Sequence, residues 1–371
     1  MINNKVTNRN KQKRKLLSVV LLAACCACFS GCGTEKTEQA LAYRKIGINA
    51  MAQGEYDSAI ENFQLALDQS RGMVRNLELD ICMNKAEALY LNGQMKEAIE
   101  VCNAVLEYNK GYATAYYLRG NMYLQQNQAK EALEDYAQAA KYADADYDMY
   151  IQLYENLKRA GMQTEGYKYL EQALELKGKS RYHLAKRGYI YYLMGNLADA
   201  KQQLEQAVEL EKKDAVDDKA ELYLAQTCEQ MGDTAGAEKY YNAYAKDHAD
   251  DSIVLEELGN MAMEKKDYIS ACGYYRKGLE TKRPSNEQTL RRGEIAALEQ
   301  MYEFEQAKEK MAQYVLDYPD DEEAAREYLF LKTRTSVAEQ IKKEQEEAAA
   351  QAQSEQDEAA QQAQDGQGEF Q

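Results

Sequence analysis

Few residues in this chain are placed to do chemistry. There are two histidines, His183 and His248, far apart in the sequence, so no helix carries the imidazole pair that a zinc site would use. No phosphate-binding loop and no strained serine turn occurs. One run of carboxylates has a suggestive interval: Asp144, Asp146 and Asp148, with Glu155 beyond them. Oxygens so spaced can wrap a calcium ion when the chain turns sharply among them. That turn needs a glycine, and Met149 stands there instead. The expectation is therefore a protein with no metal, no cofactor and no catalytic centre.

The elements that must carry the remaining side chains are set by a repeat. An alanine returns at Ala59, Ala98, Ala132, Ala200, Ala237, Ala271 and Ala307, and Gly166 fills the single gap. The interval is close to 34 residues, the period of a helix–turn–helix solenoid. Twelve positions before this frame residue stand Gly47, Ala86, Gly120, Gly188, Ala225 and Gly259. Small residues at both places let two helices cross closely. Five positions before it, Gly54, Gly93, Gly161, Gly195 and Gly232 mark the turn between them.

This spacing resembles the tetratricopeptide repeat (TPR) family. The fit is best in Ala40–Met73, Ala113–Asp146 and Arg181–Asp214. Departures are plain: there is no Trp, Pro319 alone keeps the closing proline, and Tyr154 and Ile295 replace the small residue in repeats four and eight. Looser packing is expected at those two. The resemblance implies an all-α, right-handed superhelical solenoid of about eight repeats over 40–321, closed by a capping helix over 322–341. Solenoids need such a cap because the last repeat has no neighbour. In that frame Asp148 to Glu155 is helical and cannot encircle an ion. Cys82, Cys102, Cys228 and Cys272 fall on helices and read as buried thiols; Cys82 and Cys102 alone share a repeat.

The resemblance also implies a function. First helices of TPR units line a concave groove that holds protein or peptide partners. Tyr90, Tyr117, Tyr189, Tyr192 and Tyr223 fall at groove positions, as do Asn121, Lys186 and Arg44. Tyrosine offers a large apolar face with a polar tip and is enriched at interfaces. The expected gripping surface is Tyr117, Asn121, Lys186, Tyr189, Tyr192 and Tyr223. The Lys/Asn carboxylate clamp of chaperone-binding TPR proteins is not reproduced. A second reading has the tyrosines stacking on cell-wall polysaccharide.

The ends of the chain suggest where it works. Lys5, Arg9, Lys11, Lys13, Arg14 and Lys15 precede an apolar run from Leu16 to Ala27, the pattern of a secretory signal. Phe29-Ser30-Gly31-Cys32 then resembles a bacterial lipobox; Leu22-Ala23-Ala24-Cys25 is a rival. Cutting at Cys25 would leave an apolar, cysteine-rich stub, so Cys32 is the expected lipid-bearing residue. The resemblance implies a membrane-anchored, extracytoplasmic lipoprotein with residues 1–31 removed and 32–39 as a tether. Losing six basic and no acidic residues takes the formal net charge from −16 to −22, which disfavours nucleic acid. Residues 342–371 are rich in Glu, Gln and Ala with almost no large apolar side chain, a composition that cannot offset ordering entropy.

Overall fold

The computed structural model describes residues 33–334, apart from 71, 145, 212–218 and 283. Cys32, the signal segment and the tail over 342–371 lie outside the described residues, as does the cap beyond 334. Everything regular in the described residues is helix. The chain divides into two compact units, one ending at Lys177 and one beginning at Gly178.

The N-terminal unit holds four helical hairpins: α1 (Gly33–Ala52) with α2 (Tyr56–Asp68), α3 (Asn76–Leu91) with α4 (Met95–Tyr108), α5 (Ala113–Gln125) with α6 (Ala129–Lys141), and α7 (Tyr147–Arg159) with α8 (Gln163–Leu174). The C-terminal unit holds four more: α9 (Arg181–Leu193) with α10 (Leu197–Glu209), α11 (Ala220–Gln230) with α12 (Thr234–Ala245), α13 (Ser252–Glu264) with α14 (Tyr268–Glu280), and α15 (Glu287–Gln300) with α16 (Phe304–Asp317). A closing helical segment is described over 322–334.

The repeat frame explains the packing in both units. Each frame alanine is fully buried, and so is the residue four positions on, one turn along the same face: Phe63, Cys102, Tyr136, Leu170, Leu204, Tyr241, Tyr275 and Met311. Small residues in the first helix make room for these. A Cβ placed on Gly47 would lie 2.7 Å from Phe63, and one on Gly259 would lie 2.5 Å from Tyr275. Burying each such aromatic is worth roughly 1.5–3 kcal/mol.

Repeat four is not loosened by Tyr154. Its ring is fully buried, and the space comes from Gly166, the one frame position without a side chain. A Cβ on Gly166 would sit 3.0 Å from Tyr154 Cδ2 and 3.3 Å from its carbonyl oxygen. Large and small have exchanged helices at this crossing. Ile295 in repeat eight is likewise buried, facing a hairpin whose frame residue is Ala307.

Every hairpin turn contains one residue with positive φ, always five positions before the frame residue. Five are the glycines already named. The other three are Asn127 (58°), Lys266 (62°) and Tyr302 (61°). A side chain in this left-handed region costs about 1–2 kcal/mol, which asparagine tolerates best. Tyr302 nevertheless holds it while 78% exposed.

Six of the α1–α16 helix starts are capped by a side chain, four of them by an aspartate. Asp146 accepts from the Asp148 amide, Asp251 from those of Ile253 and Val254, and Asp267 from that of Ser270. Asp146 is thereby committed to starting α7, and Asp148 to Glu155 run along that helix, so these carboxylates do not converge on an ion. Ser180 caps α9 and pairs with His183 Nδ1 at 2.7 Å. His248 stacks on Tyr244 with ring centroids 3.9 Å apart.

Candidate partner-binding groove

The first helices present two different surfaces. In the N-terminal unit the groove positions of α5 are knotted to α6 and α7. Tyr136 Oη donates to Asn121 Oδ1. Asn156 Nδ2 donates to the same oxygen at 2.8 Å and to Tyr117 Oη at 3.0 Å. Arg159 in turn donates to Asn156 Oδ1. Burial pushes the Tyr136 hydroxyl up, so it remains a donor at any ordinary pH. Tyr117 stacks on Tyr136 with ring centroids 6.3 Å apart. Asn121 Oδ1 thus joins three helices and is taken up by the fold. Arg44 is similarly engaged, its Nε 2.6 Å from Asp80.

In the C-terminal unit the equivalent face is aromatic. Tyr189 stacks on Tyr223 of the next hairpin, centroids 4.0 Å apart and planes 16° from parallel. Tyr192 lies 5.9 Å from Tyr189 on its own helix, planes 15° apart. Gln230 Nε2 donates to Tyr192 Oη at 3.1 Å. The three rings therefore form one row across α9 and α11. Tyr189 and Tyr192 are half-buried, while Tyr223 is only 9% exposed. Lys186 is 7% exposed, with Nζ 5.5 Å from the Tyr182 ring centroid. Its charge is held within the fold and is not displayed beside the row. Tyr223 and Lys186 share a register, fourteen positions before Ala237 and Ala200, and both turn inward.

Carboxylates that the sequence did not single out continue this surface. Glu229 stands one residue before Gln230 and accepts from Tyr241 Oη at 2.7 Å. Glu256 and Glu257 follow on α13. Burial, then the charges of Glu229 and Glu256, push the Glu257 carboxyl up. Burial and Glu229 do the same to the Tyr192 hydroxyl. Glu256 accepts from Asn286 Nδ2 at 2.5 Å. Among the described residues no lysine or arginine forms an ion pair with any of these three carboxylates. The available signal for Glu229 was its register: it lies eight positions before its frame alanine, as Tyr192 does.

Thiol chemistry is suppressed at the four described cysteines. Burial pushes the Cys82 thiol up to about 11 and the Cys102 thiol up to about 12, and raises those of Cys228 and Cys272. All four are unpaired by disulfides. No cluster of three or more metal-ligating side chains occurs among the described residues. Among them, too, no helix is long and apolar enough to cross a membrane.

A row of side chains carried on repeated helical hairpins is an arrangement built by a repeat fold. Family models of the tetratricopeptide repeat match residues 50–122 and residues 103–148, 185–252 and 224–287, together more than half of the chain. The chain belongs to the tetratricopeptide repeat family. It is 29% identical over 140 residues to TPR repeat-containing protein MJ1428 of Methanocaldococcus jannaschii, covering 35% of this chain and 24% of that protein. It is 28% identical over 181 residues to Protein STIP1 homolog of Dictyostelium discoideum, covering 46% and 29%. The matched region is thus about a quarter of each curated relative. A solved tetratricopeptide repeat protein from Parabacteroides merdae overlaps 80% of this chain and 99% of its own, at 16% identity and a TM-score of 0.37.

Proposed function

We propose that this chain is a tethered scaffold that holds a peptide segment of a partner protein along the tyrosine row of its C-terminal unit. The observation that carries the reading is the row itself: Tyr192 and Tyr189, backed by the largely buried Tyr223 and continued by Glu229, Glu256 and Glu257. The rings supply desolvated contact area with little entropy to lose. The carboxylates, which no cation of the described residues neutralises, favour a segment bearing Lys or Arg. The tether is the lipid expected on Cys32, which places the protein outside the cytoplasmic membrane. Two or more acyl chains give stable anchoring where one does not. The working setting is envelope assembly or its regulation, as for bacterial TPR lipoproteins as a class.

Polysaccharide binding is the weaker alternative. A sugar stacks on an open ring face, and the Tyr189 and Tyr223 faces turned to each other are occupied at 4.0 Å. The row leaves mainly edges and hydroxyls, which suit a peptide better.

A photo-reactive residue in place of Tyr192, in the full chain expressed in its host, tests the reading. Crosslinks to one protein, lost with Tyr189→Ala, are expected. Crosslinks to glycan alone would overturn it. Independently, Cys32→Ala is expected to move the protein out of the membrane fraction and to block signal removal. Lipid labelling that survives Cys32→Ala and vanishes in Cys25→Ala would reassign the anchor.

A further inference from the structure

The seam that closes the C-terminal unit contains a carboxyl group with an unmet need. Glu299 lies on α15, at the register of Tyr192 and Glu229 in their repeats. Its Oε1 is buried and finds no hydrogen-bond donor among the protein's groups. A buried carboxylate oxygen without a donor is strongly disfavoured, and protonation is the ordinary remedy. The neighbour that acts on it most strongly is another carboxylate, Glu327 of the closing segment over 322–334. Two adjacent carboxylates repel when both are ionised and form an O–H···O bond when one proton remains between them.

The surrounding charges say which of the two keeps the proton. Arg292, from α15, places Nη1 2.5 Å from Glu327 Oε2, so Glu327 has a cation at hydrogen-bond distance while Glu299 Oε1 has no donor, which favours the proton on Glu299. Arg334 of the closing segment lies over the rings of Phe304 and Phe330, 4.9 Å from each centroid, and attracts Glu299 more weakly. From α16, Tyr314 lies under Arg292 at 5.6 Å, and its hydroxyl donates to Asp321 at 2.8 Å. None of the ions acting most strongly on Glu299 belongs to α13 or α14.

We propose that Glu299 and Glu327 share one proton across the seam between α15 and the closing segment, and that this proton latches the segment onto the last repeat. Losing it sets two carboxylates against each other and loosens the cap as the medium turns alkaline. The latch operates in a useful range, since burial and then Glu327 push the Glu299 carboxyl up to about 7. The sign follows from linkage. An acid whose folded value is raised above its unfolded one stabilises the docked form below the unfolded value. That contribution is lost as pH rises to the folded value and beyond it. Docking is thus firmest in mild acid and weakens progressively between roughly pH 4.5 and 7.

Amide hydrogen exchange of the 322–334 segment in the full-length chain tests this, with rates corrected for the intrinsic effect of pH. Opening of the segment is expected to become about tenfold more favourable from pH 6 to pH 8. Glu299→Gln keeps a neutral donor beside Glu327 and is expected to flatten that dependence. Glu327→Gln, which removes the second charge, serves if the first variant loses helix content. An opening constant unchanged between pH 6 and pH 8, or the same tenfold rise in a folded Gln variant, would overturn the proposal.

Discussion

Asn121 and Tyr189 occupy the same position of the repeat, eleven residues before Ala132 and Ala200, one in each unit. They do opposite things. Asn121 is consumed by the fold, accepting from Tyr136 and Asn156. Tyr189 builds a surface, stacked between Tyr223 and Tyr192. The amide knot stiffens the N-terminal unit by satisfying buried polar groups. The aromatic row gives the C-terminal unit area on which another chain can settle. The frame thus dictates where a side chain stands, and its chemistry decides what it bonds to or stacks on there.

The largest expected effect tests what the units have in common. Ala132→Leu and Ala200→Leu each insert a branched side chain at a fully buried crossing, and each should cost about 1–3 kcal/mol or more. Urea unfolding of both variants checks this. A large loss in one unit and none in the other would mean that the frame is not shared.

The next effect separates the units. Tyr189→Ala with Tyr192→Ala should weaken capture of a crosslinked partner by about 2 kcal/mol, on the order of 30-fold, with helix content unchanged. Asn121→Ala should leave that affinity alone. Binding titrations on the two variants decide it, and equal losses would erase the distinction.

Asn121→Ala should act on stability instead. It leaves the buried Tyr136 hydroxyl without its acceptor, at about 1–2 kcal/mol. Adding Tyr136→Phe should recover part of the loss, because the orphaned donor then disappears. A double-mutant cycle by chemical denaturation measures this coupling, and an additive result would exclude the knot as a stabilising unit.

The smallest effect sharpens the account of the turns. Tyr302→Gly relieves a left-handed side chain and should stabilise the protein by about 0.5–1 kcal/mol after the entropy of the unfolded chain is counted. Gly195→Ala, at the same place in repeat five, should do the reverse. A shift in melting temperature of the same sign for both would contradict the turn geometry.

Much of this architecture was legible in the residues. The alanine interval gave the hairpins, and the turn glycines gave five of the eight left-handed positions. Asn127, Lys266 and Tyr302 carry no glycine to mark the turn; their place five positions before the frame alanine marks them instead. Repeat four departs from the pattern at Tyr154 and at Gly166 separately, and satisfies it as a pair, because the bulk of one fills the space left by the other. The tyrosine row was legible as spacing, but its closeness was not, since side-chain stacking between neighbouring hairpins has no sequence signature. The inward turn of Lys186 and Tyr223 was hidden for a related reason. A groove-facing arc spans several positions of a helix, and its edge is decided by how closely the next hairpin approaches.

The suppressed thiols make each unit its own timekeeper. Cys82 and Cys102 belong to one unit, Cys228 and Cys272 to the other, and the thiolate is the form that reacts with an alkylating reagent. Held protonated by burial, a thiol of this kind is modified chiefly when its surroundings open. The rate at which each cysteine acquires a mass tag therefore records how often its own hairpins breathe. Two clocks in each half, wired into the native chain without any added label, allow the fluctuations of the knotted unit and the aromatic unit to be read side by side in one tube.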